Sequence, residues 1–130
     1  MKAFTLWRPW PWAFIYAGKP LENRTWHLPR SLLGQRVALH AGKTFSENAA
    51  AWIEDTFGLS VPPQSDHPTG IVATAVYRGT AAEHGLENDP WYCGPVGWVF
   101  GGIRGLPEPV ACRGAQGLWT VPEATARLLL

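Results

Sequence analysis

Frequent glycine and proline residues limit how long any helix or strand of this chain can be. The 130 residues include 14 glycines and 12 prolines, which enforce turns along the whole sequence. Hydrophobic residues nevertheless make up 46% of the chain, which is enough for a folded core and too much for a disordered protein. Because domains of about 100–150 residues are the commonest size, we predict one loop-rich domain over residues 1–130.

Charge is distributed unevenly along the sequence, although the formal net charge is only +1. Residues 1–46 contain seven Lys or Arg and one Glu, whereas residues 47–89 contain seven Asp or Glu and one Arg. The near-neutral total does not support a uniformly basic DNA-coating protein or an acidic disordered tail. The segregation has two interpretations: a basic surface for an anionic partner, or solvated charge that happens to cluster.

The sequence lacks the usual signals of secretion, membrane insertion and metal binding. No signal peptide is recognisable at its start, and no run approaches about 20 apolar residues. Cys93 and Cys112 show no Cys-x-x-Cys spacing, and the four histidines show no metal-ligand spacing. We therefore expect a cytoplasmic monomer with free or buried thiols, no membrane partner, no cofactor and no metal.

Apolar runs and alternation predict six short strands. They cover residues 3–6, 21–26, 36–40, 70–77, 98–106 and 117–120, of which 70–77 is predicted to be buried and central. Residues 61–68 and 79–97 are predicted to be loops.

Helix start and stop signals predict three short helices. The first helix covers residues 12–17, with Pro9 to Pro11 before it and Gly18 after it. The second begins with a capping box of Thr44 and Glu47 and ends at Phe57. The third is a C-terminal helix that begins with a capping box of Thr120 and Glu123. Because strands outnumber helices, we predict an α+β fold with a closed or nearly closed, β-barrel-like sheet of about five or six strands.

A cluster of three charges lies where the first helix gives way to a strand. Alternation puts Glu22 and Arg24 on one face of that strand, and Lys19 comes just before it. One interpretation is a salt-bridge cluster that stabilises the turn. The other is a cleft in which Lys19 binds phosphate or acts as a base, Glu22 accepts hydrogen bonds from a base or ribose, and Arg24 holds a phosphate or orients Glu22.

The Lys19-x-x-Glu22-x-Arg24 core resembles the ASCH domain of the PUA-like superfamily. It follows the aromatic helix start Pro9-Trp10 and precedes Trp26 and the strand end His40-Ala41. Residues 94–100, 109–110 and 114–119 resemble the second half of small stand-alone bacterial and phage-type members, so the resemblance spans nearly the whole chain.

This resemblance implies a PUA-like β-barrel, a cleft whose rim carries the core motif, and an association with RNA or nucleosides. Some relatives remove an acetyl group from acetylated cytidine with a Lys, a Thr and a Glu, and others are reported to cleave RNA. The Thr of that amidohydrolase pattern lies three residues after the Lys, where this chain has Glu22. The family glycine two residues before the Lys is replaced by Ala17, with Gly18 beside it.

Aromatic and basic residues near the motif are further candidates for binding. Of the eight tryptophans, Trp52, Trp98 and Trp119 are expected in the core, whereas Trp7, Trp10, Trp12 and Trp26 flank the motif. At least one of Trp10, Trp12 and Trp26 stacks on a base, or all of them pack the first helix onto the sheet. His40 and Lys43 lie at or after the end of a predicted strand and are secondary candidates.

Three hypotheses of function follow. The first is an RNA- or nucleotide-binding protein in which Arg8, Lys19, Arg24 and Lys43 meet phosphates, while Glu22 and a tryptophan read a base or ribose. The second is a hydrolase of RNA or of an acylated nucleoside, with Lys19 and Glu22 transferring protons. The third is a protein-interaction module with an exposed apolar patch away from the motif.

Overall fold

The computed structural model describes residues 1–129 as an α+β fold with one six-stranded sheet and short helices. The strands are β1 (Lys2–Arg8), β2 (Leu21–Arg24), β3 (Arg36–Phe45), β4 (Gly70–Thr80), β5 (Val96–Val110) and β6 (Trp119–Thr120). The helices are α1 (Trp10–Tyr16), α2 (Glu47–Phe57), α3 (Ala81–His84) and α4 (Glu123–Ala126). Short 3-10 turns occur at Arg30–Leu32, Gln64–Asp66 and Arg127–Leu129. The predicted α+β class is therefore confirmed.

The sheet is mixed, open and strongly curved. Its strand order is β2-β5-β4-β3-β1-β6, in which β1 and β3 run parallel and all other neighbours run antiparallel. Arg24 on β2 nevertheless donates from Nη2 to the carbonyl oxygen of Thr5 on β1, at 3.3 Å. Because three strands separate β2 from β1 in the sheet order, this contact shows that the sheet curls back and brings its two sides together.

The main core fills the inside of this curved sheet. Alternation along β1 turns Phe4 and Leu6 inward and leaves Thr5 and Trp7 on the outer face. Phe4 stacks on Phe100 with ring centroids 5.3 Å apart and meets Trp98 edge-on at 5.5 Å. A smaller apolar cluster lies on the outer face of the sheet, and its buried members are Ala3, Ala38, Ile71, Val121 and Leu129.

The strands are close to their predicted positions but differ in length. Pairing with β4 and β1 continues β3 as far as Phe45, five residues beyond its predicted end. The predicted strand at residues 21–26 ends at Arg24, because Arg24 pairs with Val96, the first residue of β5. Trp26 therefore lies beyond the sheet.

Two of the predicted helix caps are wrong. The N-cap of α2 is Ser46, whose hydroxyl accepts from the Ala49 N–H, because Thr44 still belongs to β3. No side chain caps α4, because Thr120 belongs to β6 and its hydroxyl accepts from Lys2.

The helix beginnings and loops also differ from the prediction in two places. Helix α1 begins at Trp10 rather than at residue 12, with Pro11 in its first turn, where proline is tolerated. The predicted loop at residues 79–97 contains α3, which begins with a complete capping box formed by Thr80 and Glu83. Over the described residues, no helix is long and apolar enough to cross a membrane.

Substitution of Gly70 tests the close contact between β4 and the end of β5. Its φ of +97° lies in the left-handed region, and an added Cβ would lie 2.7 Å from the carbonyl oxygen of Val110. For Gly70→Ala we expect backbone strain of about 1–2 kcal/mol and a steric cost of about 1–3 kcal/mol in the free energy of unfolding. Urea denaturation measures this loss.

Gly34→Ala is the matched control for this substitution. Gly34 has a similar φ of +78°, but no atom lies within 4 Å of the added Cβ. It should lose only about 1–2 kcal/mol from backbone strain. Equal losses in the two variants would contradict the steric role of Gly70.

Candidate functional site

A cleft of about 1040 Å³ is lined by residues from both faces of the sheet. It lies between the ends of β1 and β3 on one side and the segment that follows β5 on the other. The residues that line this main cleft are Thr5, Leu6, Trp7, Trp10, Glu22, Arg24, His40, Ala41, Gly42, Lys43, Thr69, Gly70, Pro109 and residues 111–117.

Glu22 is buried between two cations at one side of the main cleft. Its Oε1 accepts from Lys19 Nζ at 2.8 Å, and its Oε2 accepts from Arg24 Nε at 3.0 Å. The side chains of Lys19 and Glu22 are only 2% and 10% exposed, whereas that of Arg24 is 26% exposed. The predicted cluster therefore forms, with Arg24 as the cation that faces the cleft.

The local backbone explains why these three side chains meet. After α1, Gly18 adopts a left-handed conformation with φ +71°, and the Lys19 N–H donates to the carbonyl of Ala13. The chain then enters β2, where Glu22 pairs with Trp98 of β5. Alternation along β2 places Glu22 and Arg24 on one face, as the sequence predicts.

Lys19 lines a second, smaller space, which we call the tryptophan pocket. Its volume is about 340 Å³, and its lining residues are Trp10, Lys19, Glu22, Asn23, Trp52, Trp91 and Cys93. The Lys19 ammonium lies 4.8 Å from the ring centroid of Trp10, a cation–π contact. Because Trp10 and Glu22 line both spaces, the tryptophan pocket adjoins the main cleft.

Asn23 holds one wall of the tryptophan pocket in place. Its Nδ2 donates to the Trp91 carbonyl at 3.0 Å, and its Oδ1 accepts from the N–H groups of Cys93 and Gly94. The rings of Trp52 and Trp91 meet at 5.8 Å and 63°. This pocket is therefore preformed, with aromatic walls at an angle to each other.

The main cleft carries an excess of positive charge. Arg24, Lys43 and Arg113 line it, and Glu22 is the only carboxylate among the described lining residues. Both oxygens of Glu22 already accept hydrogen bonds from cations. Lys43 and Arg113 are exposed, so their charges face solvent at the cleft. The arrangement suits an anionic ligand.

His40 belongs to a hydrogen-bond chain at the base of the cleft. Its Nε2 lies 2.7 Å from the Cys112 carbonyl, which can only accept, so Nε2 carries the proton. Its Nδ1 then accepts from the Thr5 hydroxyl at 3.2 Å, and that hydroxyl accepts from Trp119 Nε1. A Cβ on Gly114 would lie within 2.7 Å of both His40 and Thr5. His40 is therefore a structural part of the cleft.

Four of the predicted binding residues do not line the main cleft: Lys19 lines the adjoining tryptophan pocket, and Arg8, Trp12 and Trp26 line neither space. The buried guanidinium of Arg8 donates to the carbonyls of His67 and Lys43, at 2.7 and 2.6 Å, so it fastens the loop at His67 to the end of β3 instead of meeting a phosphate. Trp12 lies in a separate pocket of about 200 Å³ beside His67. Trp26 packs edge-on against Trp98, with ring centroids 4.7 Å apart. We remove Arg8, Trp12 and Trp26 from the candidate site.

Trp7, which the sequence places beside the motif but not among its stacking candidates, and Arg113, which no sequence pattern singled out, also line the cleft. Trp7 is 59% exposed, and alternation along β1 already places it opposite Phe4 and Leu6. Arg113 reaches the cleft because the segment after β5 folds back over the sheet. The sequence could not predict this role for Arg113, because the residue lies in a glycine-rich segment far from the motif.

Neither a metal site nor a disulfide is formed among residues 1–129. No three His, Cys, Asp or Glu side chains in this range are grouped as a metal ion requires. Cys93 is an exposed thiol, and Cys112 is a half-buried one. Comparison with models of protein families gives no match to the chain, and comparison with curated proteins gives none either.

Substitution of Glu22 tests the buried charge cluster. Glu22→Gln leaves the buried Lys19 ammonium without its counter-charge, and we expect the free energy of unfolding to fall by about 3–5 kcal/mol. Urea denaturation measures the loss. The control is Glu123→Gln, which breaks the exposed pair with Arg127 and should cost less than about 1 kcal/mol. A loss at Glu22 no larger than that of the control would contradict the structural role of the cluster.

Proposed function

We propose that this protein is an RNA- or nucleotide-binding protein of the ASCH type, with its curved six-stranded sheet forming a PUA-like barrel. One observation carries the proposal: the main cleft combines three cations with exposed aromatic surface. Among the described residues that line it, the one carboxylate is that of Glu22, which is paired with Lys19 and Arg24. Cationic and aromatic groups together are what single-stranded nucleic acid requires of a binding groove. The Arg24 contact to β1 supports a barrel-like closure.

Phosphates are bound by the cations that face the cleft. Lys43 and Arg113 are exposed, and Arg24 keeps N–H groups beyond the two that bond Glu22 and Thr5. The sequence motif predicts that Lys19 faces the same cleft as Arg24, but Lys19 is buried beside the tryptophan pocket. The Lys19 ammonium donates to Glu22 and lies 4.8 and 4.5 Å from the ring centroids of Trp10 and Phe14, so it stabilises the wall of this pocket.

Bases are bound by the tryptophans around the cleft. Trp7 offers an exposed ring, and Trp10 lies between the main cleft and the tryptophan pocket. The tryptophan pocket, at about 340 Å³, is at the small end of the range for ligand pockets. We assign it to one base or nucleoside, with the adjoining cleft holding the phosphates.

The geometry favours binding over hydrolysis. Both oxygens of Glu22 accept hydrogen bonds from cations, and its side chain is only 10% exposed, so a substrate has little access to them. Thr5 and His40 form a hydroxyl–imidazole pair, but Gly114 lies against both and occupies the space that a substrate carbonyl or phosphate would need.

We also propose that the protein is monomeric and cytoplasmic, as the sequence predicts.

The electrostatic part of the proposal is tested by removing a lysine from the cleft. At 0.1 M salt, Lys43→Gln should weaken binding to labelled single-stranded RNA about fivefold, because each phosphate contact contributes about 0.7 to the slope of log K against log salt. Fluorescence anisotropy across a salt series measures both quantities. Lys2→Gln removes the same charge from an exposed site outside the cleft, and should bind like the wild type. Failure of the wild type to bind RNA or single-stranded DNA would disprove the proposal.

The aromatic part is tested independently. Trp7→Ala should lose about 1–3 kcal/mol of binding free energy and keep the wild-type salt slope, because stacking releases no counterions. The matched control is Tyr16→Ala, which removes a ring that is 75% exposed and outside the main cleft. Equal affinity of the two variants would show that Trp7 does not stack on the ligand.

A further inference from the structure

Three arginines share the outer face of the sheet at the end away from the main cleft. Arg36 lies on β3 and pairs with Val76, whereas Arg104 lies on β5 and pairs with Thr74. Cross-strand partners lie on one face, and alternation along β4 adds Arg78 to the face of Thr74 and Val76. We call Arg36, Arg78 and Arg104 the arginine face.

Glycines of β5 let these guanidinium groups lie close to the backbone. A Cβ on Gly101 would lie 3.1 Å from Arg78 Nε, and a Cβ on Gly102 would lie 3.2 Å from Arg36 Nη2. Arg36 Nη1 donates to the Thr74 hydroxyl at 3.1 Å and to the Gly102 carbonyl at 2.8 Å. The Arg36 guanidinium is therefore held in a defined position before any ligand arrives.

The charges of the arginine face are not neutralised within the protein. In the described chain, no carboxylate lies within ion-pairing distance of Arg36, Arg78 or Arg104. Burial and then the nearby charges of Arg104 and Arg78 lower the pKa of Arg36, so both cations repel the charge of Arg36. An anion on this face relieves that repulsion, and the planar fork of guanidinium matches phosphate oxygens.

We infer that the arginine face is a second phosphate-binding surface, which contacts the backbone of an RNA strand that extends beyond the main cleft. This inference rests on the proposed function. Arg36 and His40 lie on one face of β3, four positions apart, which corresponds to about 13 Å along the strand. Val121 and Leu129 pack with Ala38, which lies between Arg36 and His40 on β3. The RNA strand would therefore pass over the outside of the C-terminal segment to reach both surfaces.

The test compares a short and a long RNA. A trinucleotide fits the cleft alone, whereas an RNA of about 16 nucleotides, the upper site size of one small nucleic-acid-binding barrel, reaches both surfaces. The double variant Arg78→Gln/Arg104→Gln leaves the hydrogen-bonded Arg36 in place. At 0.1 M salt it should bind the long RNA about 25-fold more weakly, with a salt slope lower by about 1.4, and bind the trinucleotide like the wild type.

Arg30→Gln/Arg127→Gln is the control, because it removes the same charge from two exposed arginines outside the arginine face. Equal affinity of the two double variants for the long RNA would overturn the inference and leave the proposed function standing. A loss that is equally large for the trinucleotide would also overturn it. If the wild type bound neither RNA, the proposed function would fail and the inference with it.

Discussion

The carboxylate of Glu22 holds together the elements that surround the candidate site. It binds Lys19 from the end of α1 and Arg24 from its own strand, and Arg24 then bonds the Thr5 carbonyl on β1. One buried anion thus links a helix end, an edge strand and the far side of the sheet. A buried charge is tolerated only when it is paired, so these three side chains depend on one another. The same cluster separates the main cleft from the tryptophan pocket.

The basic residues of the N-terminal segment, residues 1–46, differ in burial and in hydrogen-bond partners, and therefore in role. Arg8 is buried and bonded to backbone carbonyls, so its charge serves the fold. Lys43 is exposed at the cleft, and Arg36 lies on the arginine face. The basic N-terminal segment therefore contributes cations to two separate surfaces, which later residues complete, and one cation to the interior. Net charge alone predicts none of this, because burial decides which cations reach a ligand.

Sequence reasoning succeeded where a local pattern decides the structure. Alternation placed Glu22 and Arg24 on one face, and left-handed glycines at 18 and 58 ended their helices as predicted. It failed where distant contacts decide. The sequence assigns Arg8 to phosphate because it lies near the motif, but its guanidinium donates to backbone carbonyls of Lys43 on β3 and of His67 in a loop. Thr44 resembled a helix cap until pairing extended β3 past it.

The central claim is that a nucleic-acid strand occupies the main cleft with its bases on Trp7 and Trp10. The indole N–H signals of ¹⁵N-labelled protein, followed during titration with a short single-stranded RNA, test this claim most directly. The account predicts saturable shifts for Trp7 and Trp10 and unchanged signals for Trp12 and Trp26, which lie outside the cleft. Shifts confined to Trp12 or Trp26, or no shift at any indole, would contradict it.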